Sequence, residues 1–124
     1  TLFCDGDTAF VLPLEADQVR CTPEGKLRVY RTTDGGRSWR GLGKGLPQEN
    51  ALETVLRDAM DADACDPAGV YFGTKSGRVY GSRDRGDSWK ELVAGLPPVC
   101  CVKAAVVPGA AKAVSRGKGK GRRR

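Results

Sequence analysis

The chain has 124 residues, 40% of them apolar, with 17 glycines, a size for at most one modest domain and a composition that favours short strands and tight turns over long helices. No run of 18 apolar residues occurs, so no transmembrane helix and no membrane partner is expected, and the start "TLFCDGDTAF" lacks the basic and apolar regions of a signal peptide. Net charge is +6, but eight of the 21 Lys/Arg and none of the 15 Asp/Glu follow Val102, so residues 1–102 carry a net −2 and the basic pI is no argument for whole-chain nucleic-acid binding.

Taken in order, "TAFVLP" (8–13) reads as a strand, followed by a long connection (14–25) and a second strand in "KLRVY" (26–30). The phrase "RTTDGGRSW" (31–39) comes next and opens a strand at "SWRGL" (38–42). The sequence Gly45-Leu46-Pro47 closes this first unit, which has little room for a first strand of its own.

A second unit then begins. "ALETVLRDAM" (51–60) places Ala51, Leu52, Val55, Leu56, Ala59 and Met60 at helical spacing. A strand over 55–62 is nevertheless expected, with a helical turn before it, because the repeated unit needs a strand ahead of "DPAGVYFGT". Three more strands are expected at 69–74, 77–82 and 88–93, the first two joined through the hairpin "GTKSG". The last two flank a second phrase, "GSRDRGDSW" (81–89), and Gly95-Leu96-Pro97 closes the unit. "PVCCVKAAVV" (98–107) is expected to open a further unit. The remainder, 108–124, is small, basic and Gly-rich, and is expected to be disordered.

The two phrases repeat at an offset of 50, and a period of this length with several strands marks one supersecondary unit. The phrase lies between strands and is therefore a turn. Asp34 and Asp84 suit hydrogen bonds from the backbone N–H groups that follow them. Gly36 and Gly86 suit a positive φ. Ser38 and Ser88 serve the turn exit, and Trp39 and Trp89 start the next strand with apolar surface for a neighbouring sheet. Thr32 and Ser82 open the two boxes.

Five cysteines (Cys4, Cys21, Cys65, Cys100, Cys101) occur with no C-x-x-C and no His. This pattern does not suit zinc, and it suits a reducing, cytoplasmic setting. No cofactor and no metal is expected.

The pattern S/T-x-D-x-G-x-S/T-W is met twice in full, as Thr32-Thr33-Asp34-Gly35-Gly36-Arg37-Ser38-Trp39 and Ser82-Arg83-Asp84-Arg85-Gly86-Asp87-Ser88-Trp89. On these residues the chain resembles the Asp-box, or bacterial neuraminidase repeat, β-propellers. "VRCTPEG", "VLRDAM", "DPAGVYFGT" and "LPPV" are similar to a bacterial group of such proteins labelled glycosyl hydrolase. The resemblance covers about residues 7–107. It implies an all-β fold: one complete and two partial four-stranded antiparallel blades of a β-propeller over 1–107, with a disordered basic tail over 108–124.

It also implies that the boxes sit at the periphery as structural turns and that Arg57 and Asp58, on an innermost strand, are candidate channel-facing residues. The arginine triad and Tyr–Glu pair of sialidases have no counterpart motif here, so no catalytic residue is assigned. The function expected is that of a non-catalytic propeller piece, a scaffold or a module binding a ligand or protein. The missing blades would come from a longer chain or an oligomer, since propellers close with about four to eight. One alternative is the C-terminal part of a sialidase-like glycoside hydrolase with its catalytic residues in the missing blades. Another is weak nucleic-acid binding through Lys118, Lys120, Arg122, Arg123 and Arg124, by charge alone because no aromatic interleaves them.

Overall fold

A computed structural model describes residues 2–3, 6–14, 21–65 and 67–107. The basic tail from 108, with its five candidate phosphate-binding residues, lies outside the described residues, as does much of the long connection. The described chain is all-β, with two antiparallel sheets and a single 3-10 turn at Pro23–Gly25. The first sheet holds β1 (Leu2–Phe3), β2 (Ala9–Val11), β3 (Val29–Thr32) and β4 (Arg40–Leu42) in that spatial order. The second holds β5 (Met60–Ala62), β6 (Val70–Gly73), β7 (Val79–Ser82) and β8 (Lys90–Val93), again each beside the next.

Period-2 alternation decides which side chains meet. In the first sheet Phe10 pairs with Arg31 and Val29 with Leu42, placing the four on one face. In the second, Phe72 pairs with both Met60 and Tyr80, and Val70 with Ser82. These two faces pack on each other. Phe10, Val29, Val70, Phe72, Tyr80 and Trp89 belong to one buried cluster. Within it Phe72 stacks on Tyr80 and meets Trp89 edge-on, each pair with centroids 5.3 Å apart.

Four departures from expectation follow from where backbone groups find partners. Residues 51–59 form neither helix nor strand. The segment divides its hydrogen bonds between the two units, mostly at their turns: Ala51 N–H donates to Gly25 (2.8 Å) and Thr22 N–H to the Glu53 carbonyl (3.0 Å), while Lys75 N–H donates to Thr54 (2.9 Å) and Gly73 N–H to Ala59 (2.9 Å). A helix would have spent those groups internally. Ala51, Val55 and Ala59 are buried while Leu52 is exposed, and only Met60–Ala62 pairs as a strand.

Second, residues 98–107 do not form a strand. Val99 and Val102 donate to the Thr74 and Asp58 carbonyls (3.1 and 2.9 Å), and Ala104 N–H donates to the Asp61 carboxylate (2.7 Å). The contacts fall at separate points and build no ladder. Third, the first unit does own a first strand, in the two-residue form of β1, paired Leu2 to Phe10 and Phe3 to Ala9. Fourth, the two tryptophans precede their strands, which start at Arg40 and Lys90.

Candidate functional site

The two boxes share one hydrogen-bond plan. In the first, Asp34 Oδ1 accepts from the Thr32 hydroxyl (2.8 Å) and the Ser38 N–H (2.9 Å), while Oδ2 accepts from the Ser38 hydroxyl (2.6 Å). In the second, Asp84 accepts from Ser82 (2.7 Å), Ser88 N–H (2.9 Å) and the Ser88 hydroxyl (2.6 Å). The opening hydroxyl also accepts from the glycine amide, Gly36 to Thr32 at 2.9 Å and Gly86 to Ser82 at 2.8 Å. These bonds require Gly36 and Gly86 to turn through φ +96° and +91°, where a Cβ is disfavoured. Arg85 precedes Gly86 at φ +59°, a conformation most side chains avoid.

Hydrogen bonds to a carboxylate favour its charged form. The Ser38 hydroxyl, then the Ser38 amide and the Thr32 hydroxyl, hold Asp34 down at about 2. At Asp84 burial pushes the other way, but Ser88 and Ser82 outweigh it and bring it to about 2 as well. Both carboxylates are therefore anionic at neutral pH, with both oxygens engaged by their own turn.

The tryptophans differ in burial. Trp89 is 6% exposed and Trp39 45%. Trp89 fills the joint between the sheets, where its backbone N–H donates to the Lys44 carbonyl at 2.8 Å. Gly45, at φ +91°, makes room: a Cβ there would overlap the Trp89 carbonyl oxygen. The repeated Gly-Leu-Pro thus has a role in the first unit, which is to receive the box tryptophan of the second. Around this joint, Arg31 of β3 donates to the Arg85 carbonyl (2.7 Å) and the Asp87 carboxylate (2.8 Å), and Arg85 donates to the Thr8 hydroxyl (2.9 Å). The indole N–H of Trp89 has no partner among the described residues.

A second polar group went unseen in the sequence. Asp63 accepts from the Gly69 and Cys65 amides (2.8 and 3.0 Å) and from the Tyr71 hydroxyl (2.9 Å). It lies beside a recess of about 350 Å³ that Tyr71, Val79, Val102 and Lys103 also line. Burial opposes the Asp63 charge, but these donors lower its pKa below the usual carboxylate range. Burial first, and then the bond to Asp63, push the Tyr71 phenol up. A phenol held protonated in this way is the opposite of an activated nucleophile. Asp-x-x-x-x-x-Gly-x-Tyr, bridging β5 and β6, was the available signal.

Arg57 and Asp58 are exposed in the turn ahead of β5 rather than on a strand. The Asp58 carbonyl, not its side chain, holds Val102. Cys21, Cys65, Cys100 and Cys101 are free thiols, and burial raises the pKa of Cys65, with Asp63 adding to the effect. Among the described residues no group of His, Cys, Asp and Glu is placed to hold a metal ion, and no helix is long and apolar enough to cross a membrane. No protein-family model matches the chain, and no curated protein sequence matches it.

Proposed function

We propose that this chain is a non-catalytic module of the Asp-box β-propeller kind, two adjacent blades whose boxes are structural turns and whose role is to present sheet faces and loops to a partner. The observation that carries this reading is the engagement of Asp34 and Asp84. Each carboxylate gives both oxygens to donors within its own turn. A glycosidase needs two carboxylates facing one scissile bond, whereas these two belong to turns of different sheets. The repeated four-stranded order, the matched turns and the face-to-back packing of one sheet on the next support blades of a ring.

Hydrolysis of a fluorogenic sialoside and of aryl glycosides by the purified chain is the test. No release is expected from the wild type or from the Asp34→Asn/Asp84→Asn double variant, and the double variant melts lower. Release by the wild type that the folded double variant lacks would overturn the reading.

A further inference from the structure

The joint between the sheets has two halves, and each half is present a second time at an end of the molecule. One half is a box with its tryptophan, and the other is the strand and Gly-Leu-Pro turn that receive it. In the internal joint Trp89, Leu42 and Leu46 are 6%, 6% and 5% exposed. Their counterparts fifty residues away, Trp39, Leu92 and Leu96, are 45%, 53% and 42% exposed.

The geometry of the bare halves matches that of the occupied ones. Gly95 turns through φ +80°, as Gly45 does through +91°, but no atom approaches the position of its missing Cβ. Ala94 takes the place of Lys44, whose carbonyl receives the Trp89 N–H. Gly86 lies against Leu42 and Phe10, and the counterpart pair on the second sheet is Leu92 and Tyr71, which meet over Gly81. On the first sheet Trp39 lines an open recess of about 270 Å³ with Ala9, Val11, Thr32 and Gly36, on the face whose equivalent in the second sheet is covered. The two faces are unlike each other, and each is the mate of the other: the first exposes Trp39 above the buried Ala9 and Thr32, and the second exposes Leu92 and Leu96 beside the part that Val99 covers at Gly73.

We infer that a second copy of this chain docks head to tail, its Trp39 box seated on the Leu92 and Gly95–Leu96 face of the first. The inference rests on the sheet-module reading above and commits to the chain itself as the occupant, because one chain carries both halves of the joint. The contact is weaker than the internal one. The positions equivalent to Arg31 and Asp87 are Gly81 and Arg37, so the ion pair that braces the internal joint has no counterpart. A heterologous contact of this kind adds copies until a ring closes or a filament grows.

Sedimentation velocity of the full chain over about a hundredfold dilution tests it, since mass action makes the assembly concentration-dependent. Species beyond a dimer are expected at the concentrated end. Trp39→Arg blocks one face and Leu92→Arg the other, and both replaced side chains are exposed in the single chain. Each variant alone is expected to sediment as a monomer, and an equal mixture as a dimer and nothing larger. Val11→Arg and Leu96→Arg repeat the pair on the same faces should either first variant lose its cooperative melt. A wild-type chain that stays monomeric throughout overturns the inference and leaves the faces to another segment or protein. A mixture that stays monomeric, or assembly that survives in both single variants, overturns it too. None of these outcomes touches the glycoside assay, so the non-catalytic reading stands or falls separately.

Discussion

Asp34 and Asp84 illustrate how one side chain can replace the backbone partners that a tight turn lacks. Each neutralises an amide and two hydroxyls that would otherwise be left at the mouth of a hairpin. The folded pKa of each, about 2, lies below the ordinary 3.8. A depressed carboxylate stabilises the fold fully above its unfolded pKa and loses that contribution as pH falls toward its folded one. Stability should therefore decline from about pH 4 to about pH 2. Asp84→Ala is expected to cost about 1.5 kcal/mol at neutral pH, the low end for bonds to a charged group because the turn is partly open to solvent. Urea titrations at several pH values check both points. The gap between wild type and Asp84→Ala should close at the acid end, and Asp34→Ala should follow the same course with a smaller loss, since its box meets no second sheet.

At the scale of elements, the joint between the first Gly-Leu-Pro and the second box is the contact on which the sheets' mutual placement turns. It combines one backbone bond, Trp89 N–H to Lys44, with a glycine that cannot carry a Cβ. Gly45 and Gly95 share a left-handed backbone, so alanine at either position suffers similar strain, about 1 kcal/mol. Only at Gly45 does the new methyl also collide with the Trp89 backbone. Gly45→Ala is thus expected to lower the melting temperature clearly more than Gly95→Ala, and calorimetry of the two variants isolates the joint from the strain. The segment over 51–59 belongs to this scale too. Its apolar residues recur every four positions, as in a helix, yet its backbone groups bond to both flanking units and it ends in a turn ahead of β5.

For the molecule as a whole, the large buried side chains gather on one side of each sheet. The face of the first sheet that carries Phe10 and Val29 is closed by the second sheet, while the outer faces are covered only in part: Ala9 and Thr32 are buried beside the half-exposed Trp39, and Val99 lies over Gly73 beside the exposed Leu92. Cooperativity should follow that division. Trp89→Ala empties the centre of the shared core and is expected to cost about 3–5 kcal/mol. It should uncouple the sheets so that a single thermal transition broadens or splits, as differential scanning calorimetry would register. Trp39→Ala removes a half-exposed ring from an open face and should shift the midpoint far less.

Turns were legible in the residues because their chemistry is local. The Asp, Gly, Ser and hydroxyl positions of both boxes act within six residues of one another, and the strands at 70–73, 79–82 and 90–93 follow from alternation beside those turns. The sequence by itself determined an all-β chain with two copies of one hairpin. Tertiary structure alone decided that identical tryptophans meet different fates and that residues 51–59 form no helix despite a helical rhythm. Those outcomes depend on which backbone group or face lies opposite in space, and that is a property of the packed sheets which no local spacing encodes.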